Sequence, residues 1–137
     1  MFSHSTSDVY PQAIAKGERV AIHVATGNWY ELSTLQRYLD ISLLLLAQRG
    51  ETLTAGHGCL ISPQAKVSQS VLWDNVIVES GAQVTRAILA DNVIIREGSV
   101  IDNAAVVSAS LIRGKIRPPK ALAGDIRGDN FVVPLTE

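Results

Sequence analysis

The chain lacks an excess of either charge. Among its 137 residues, 12 Lys and Arg face 13 Asp and Glu. No basic stripe is visible, so nucleic acid is not an expected partner. Cysteine is almost missing: Cys59 alone cannot build a disulfide framework, and a lone thiol suits a reducing compartment. Long apolar runs are missing too. The longest, Leu43–Ala47, falls far short of the roughly 18 residues that span a membrane. The N-terminus MFSHSTSDVY has no charged stretch leading into an apolar core, so no secretory signal is expected. A soluble, cytoplasmic protein with no membrane partner is the expectation. With 47% hydrophobic and 18% charged residues, the chain is expected to fold.

What is present is a repeat. VLWDNVIVESGAQV at residues 71–84 returns as ILADNVIIREGSVI at 88–101, so the period is 17 residues. A unit this short cannot bury its own apolar face and becomes stable only by stacking on its copies. Branched aliphatics at Ile61, Val67, Leu72, Val78, Val84, Leu89, Ile95 and Ile101 are separated by steps of 5 or 6. Four residues after each comes a second small or aliphatic residue, from Ala65, Val71 and Val76 to Ile88, Val93 and Ala105. These are read as two inward columns per short strand, with three strands to a triangular turn. Asn75 and Asn92 align, as do Gly81 and Gly98. Both residue types tolerate the left-handed backbone that a corner needs.

The pattern resembles the hexapeptide-repeat family, whose members fold as left-handed parallel β-helices; the hand comes from that resemblance. The fold class is therefore mainly β: a short left-handed parallel β-helix of about three coils, preceded by a small α/β segment. Trp73 and Ile77 are expected to point outward, with Ala90 and Ile94 beside them one coil later. That stripe is a candidate oligomer or interdomain contact.

Upstream, Asp8–Lys16 reads as a helix between Pro11 and Gly17. Val20–Val24 alternates like a strand. Ser33 and Gln36 fit a capping box for a helix with an apolar face of Leu35, Tyr38, Leu39, Leu43 and Leu46, stopped near Gly50. That face is expected to need a partner surface beyond these residues. The stretch Gly27-Asn28-Trp29-Tyr30-Glu31-Leu32-Ser33-Thr34-Leu35-Gln36-Arg37-Tyr38-Leu39 resembles the end of the catalytic domain of sugar-phosphate nucleotidyltransferases, of the mannose-1-phosphate guanylyltransferase-like type. There a left-handed β-helix follows directly.

The resemblance implies transfer of a nucleotide to a sugar 1-phosphate with Mg²⁺ held by carboxylates. It makes Glu31, at the motif's Asp position, a candidate metal ligand. Ser33 and Leu35 depart from the motif's Gly and Pro. The family's Gly-rich nucleotide loop has no counterpart in these residues. The chain is therefore read as the C-terminal part of such an enzyme, with no catalytic residue or cofactor of its own, Mg²⁺ and substrates belonging to the parent, and a homo-oligomer expected. The organisation expected is a catalytic-domain remnant (helix, strand, helix) over 1–50, a linker over 51–60, the β-helix over 61–113 and an irregular tail over 114–137. The alternatives are a stand-alone assembly module and a hexapeptide acyltransferase. The latter needs a His base, and His4, His23 and His57 are not placed on a mid-coil loop. His57 and Cys59 make only two metal ligands, and Arg127-Gly128-Asp129 is read as a chance tripeptide.

Overall fold

The computed structural model describes residues 4–135; the outermost residues of the first and last expected segments lie outside that range. A π-helical turn at Ser5–Val9 leads into α1 (Tyr10–Ala15), and α2 spans Leu35–Ala47. Then come β1 (Leu53–Ala55), β2 (Leu60–Ile61), β3 (Lys66–Ser68), β4 (Ser70–Leu72), β5 (Ile77–Val78) and β6 (Gln83–Leu89). They are followed by β7 (Ile94–Ile95), β8 (Val100–Ser108), a 3-10 turn at Ala109–Leu111, β9 (Asp125–Arg127) and β10 (Asn130–Pro134).

Strands pair in parallel with those 17 residues on. Leu53 lies beside Ser70, Leu60 beside Ile77 and Ile77 beside Ile94, Lys66 beside Gln83 and Gln83 beside Val100. The chain thus coils as a short left-handed parallel β-helix of about three turns. Asn75 and Asn92 have φ of 57° and 59°, and Gly81 and Gly98 have 69° and 66°, so both expected corners are left-handed. The third corner, Gln69, Arg86 and Asn103, is left-handed as well, at 47°, 49° and 44°. It lies within the five-residue step, between Val67 and Leu72 and between Val84 and Leu89, where a single residue turns the chain.

That shorter step also corrects one inward column. Val76, Ala82 and Val93 are buried inside the coils as expected. Val71, Ile88 and Ala105 instead face outward, packed with Leu39 and Leu43 of α2. Their place inside is taken by Ser70, Ala87 and Ala104. Ser70 is fully buried; its hydroxyl donates to the Ser68 carbonyl (2.7 Å) and accepts the Ala87 N–H (3.1 Å). Ser70→Ala should therefore destabilise the fold by about 1–3 kcal/mol, although it makes the interior more apolar, because the Ala87 N–H loses its partner. Urea denaturation of the two proteins checks this.

The apolar face of α2 finds part of its partner within the chain: Leu39 is fully buried on the first face of the β-helix, formed by β1, β4 and the second halves of β6 and β8, and Leu46 is buried too, while Leu35, Leu44 and Leu45 stay exposed. The helix cap lies one residue later than expected. The Thr34 hydroxyl accepts the Arg37 N–H (3.1 Å), while Gln36 turns to Asp40. No strand forms over Val20–Val24, because among the described residues no sheet edge pairs with it; Ile22 and Val24 are 91% and 84% exposed.

The tail is not irregular throughout. β9 and β10 form an antiparallel hairpin, and β10 pairs antiparallel with β8. Gly128, at φ 61°, turns that hairpin, which gives Arg127-Gly128-Asp129 a structural role. Val132 and Val133 close the last coil, and Leu135 exchanges two hydrogen bonds with Asn103 (2.8 and 2.6 Å).

Candidate functional site

The corner between the first face and the second, which β2, β5 and β7 form, carries a 17-residue ladder of polar groups. The Asp74 carboxylate accepts the His57 N–H (2.8 Å), and the Asp91 carboxylate accepts the Asp74 N–H (2.9 Å). Each carboxylate ties one coil to the coil before it. A Cβ on Gly56 would fall 2.2 Å from the Asp74 carboxylate, so this connector position is a close approach that only glycine permits. The aligned Asp-Asn pairs at 74–75 and 91–92 were the signal for this ladder in the sequence.

His57 and Cys59 diverge. The His57 side chain is fully exposed, with Nδ1 3.8 Å from Asp74. The Cys59 thiol donates to the Trp73 carbonyl (2.9 Å), and its side chain packs against the interior cluster. Among the described residues, no three His, Cys, Asp or Glu side chains group as a metal site. Glu31 lies in an exposed extended stretch, ion-paired with Arg37. One carboxylate, already engaged by a guanidinium, does not fit the donor set of a Mg²⁺ ion.

The four stripe residues divide between surfaces. Ile77 and Ile94 are register partners in β5 and β7, and Leu60 of β2 extends their outward column on the second face. Trp73 turns the other way: its indole N–H donates to the Tyr38 hydroxyl of α2 (3.3 Å). It lines a groove of about 510 Å³ with Leu32, Leu35, Tyr38, Ile88 and Leu122. Ala90 packs against the interior cluster.

Two charged clasps fix the elements around these surfaces. Arg86, on the third corner, reaches Asp40 of α2 (2.9 Å). The Gln36 amide, and after it Arg86, holds the Asp40 carboxyl below its ordinary range, against an opposing effect of burial. A carboxyl lowered in the folded state contributes stability above its unfolded pKa and loses it as pH falls through the folded value. Asp40→Asn should thus remove a small part of the acid sensitivity below about pH 4, well under 1 kcal/mol for so exposed a pair. Thermal melts at about pH 5 and pH 3 check it. The second clasp is Arg96 between Glu79 (3.0 Å) and Asp129 (2.8 Å), which ties the hairpin turn to the coils. Arg96 lowers the Asp129 carboxyl, and Asp129 and Glu79 raise the Arg96 guanidinium.

No helix among the described residues is long and apolar enough to cross a membrane. No curated protein and no solved structure matches the chain. Residues 48–117, just over half the chain, match the family described as GlmU-like, C-terminal hexapeptide. That span holds the inward columns, the left-handed corners and the aspartate ladder, and by it the chain belongs to the GlmU-like, C-terminal hexapeptide family.

Proposed function

We propose that this chain is the β-helical C-terminal part of a sugar-phosphate nucleotidyltransferase of the mannose-1-phosphate guanylyltransferase or NDP-sugar pyrophosphorylase type, in which the β-helix serves assembly or regulation. The observation that carries the reading is the segment before α2. It alternates like a strand, yet Ile22, Val24 and Trp29 stand 91%, 84% and 81% exposed. The same segment runs into the Gly27–Leu39 motif, whose end, Tyr38 and Leu39 of α2, packs on the β-helix. A sheet edge of an α/β nucleotide-binding domain would pair this segment as a strand and cover its side chains. That domain would bring the Gly-rich phosphate loop and the carboxylates for Mg²⁺; Glu31 alone carries no step.

The 137-residue protein, given mannose 1-phosphate, GTP and Mg²⁺, is expected to release no pyrophosphate; steady release overturns the reading. Genomic DNA upstream of Met1 gives a second test. An in-frame Gly-rich, Arg-containing loop about 200 residues earlier, one domain's length, supports the fused parent. A stop codon there speaks against it. The Leu60, Ile77 and Ile94 column favours a second reading, a stand-alone module that assembles through this face. Light scattering of the wild type and Ile94→Arg tests it: an unchanged mass removes the column from any interface.

A further inference from the structure

After the 3-10 turn, the chain folds a loop, residues 115–124, beside Phe131 of β10, and the two border an open groove of about 320 Å³. Its wall is apolar, formed by Leu111, Ile112, Ile116, Pro118, Leu122 and Phe131. The only charged residues in the lining are Lys115 and Arg117, and neither is ion-paired among the described residues. The loop is fastened. A Cβ on Gly124 would fall 2.5 Å from the Val132 carbonyl oxygen, so the loop's end is seated directly on β10. The Arg117 guanidinium donates to the Ala121 carbonyl (2.5 Å), and the Ala121 N–H to the Pro118 carbonyl (3.1 Å). These bonds hold Arg117 across the loop. Meanwhile Leu111, Ile116 and Leu122 remain 54%, 95% and 57% exposed around one concavity.

The geometry points to a binding site for a small amphiphilic anion, a medium-chain alkyl carboxylate. Its tail lies along the apolar wall and its headgroup between Lys115 and Arg117. At ~30 Å³ per water-sized group the groove holds roughly ten, which suits a tail of roughly eight to ten carbons. Two cations without a carboxylate select an anionic headgroup, and the wall supplies the affinity. The site stands apart from the nucleotidyltransferase reading and needs no other domain.

Titration of the ¹⁵N-labelled chain with decanoate, octanoate and decanol tests the proposal. Decanoate is expected to shift amides of residues 111–124 and Phe131, to bind roughly tenfold more tightly than octanoate, and to exceed decanol clearly. Lys115→Met combined with Arg117→Gln should weaken decanoate roughly fivefold and leave decanol unchanged, with the thermal melt confirming an intact β-helix. Equal binding of decanol and decanoate, shifts centred on Trp73 or on Ile77 and Ile94, or no shifts at all would each overturn it.

Discussion

Val132→Asp is expected to release the C-terminal hairpin and to cost about 4 kcal/mol of stability. Val132 is only 3% exposed, pairs with Val106 of β8 and belongs to the interior cluster. A carboxylate there enters the apolar interior cluster, with Arg127 the one cation lining the same small pocket, so either the charge is buried at a cost or β10 comes away. Detachment uncovers Val133 and Leu135 and opens the last coil, and a stacked repeat with an open end is poorly protected. The Asn130 bond to the Ile94 carbonyl (2.8 Å) and the Asn103 clasp on Leu135 would be lost with it. Urea denaturation should show a lower midpoint, and amide exchange along β10 and the end of β8 should rise while β4 and β5 stay protected. An unchanged midpoint means that the hairpin contributes nothing.

The second large effect is expected at Leu89. It is fully buried among Leu72, Val106 and their neighbours, where the surrounding coils, tied by backbone ladders, cannot collapse into a void. Leu89→Ala should cost about 3 kcal/mol from lost transfer energy and the residual cavity. Leu60→Ala removes the same atoms from a side chain that is 64% exposed and should change stability by no more than about 0.5 kcal/mol. Equal losses in the two variants, measured by urea denaturation, would contradict the inward and outward assignment.

On the first face the period-17 pattern in the sequence and the interior of the coil are one residue out of phase. Val71, Ile88 and Ala105 repeat as faithfully as any interior column, yet they lie outside. Both the interior and a covered outer face select aliphatic residues, so hydrophobicity cannot tell them apart. Only the single-residue turn at Gln69, Arg86 and Asn103 decides the phase, and of these only Asn103 is of a type that favours a left-handed backbone. The same ambiguity hides the destination of α2, whose apolar face is plain but whose partner is the outer column of Val71, Ile88 and Ala105, alike in chemistry to the core. It also divided the proposed stripe: Trp73 turned to Tyr38, while Ile77 and Ile94 stayed together because parallel register requires it. The hairpin that caps the end was hidden for another reason. Its segment lies outside the repeat, and β10 pairs with β8 antiparallel and at long range.

The sequence by itself determined the coil, its three-sided cross-section and most of its filling. These follow from local alternation and a fixed period, and each turn repeats the same short-range interactions. Tertiary structure decided which aliphatics face inward on the first side, what covers that side and what closes the last coil. Those outcomes depend on contacts between segments distant in the chain, where several apolar surfaces of equal chemistry compete and only shape and backbone direction select the partner.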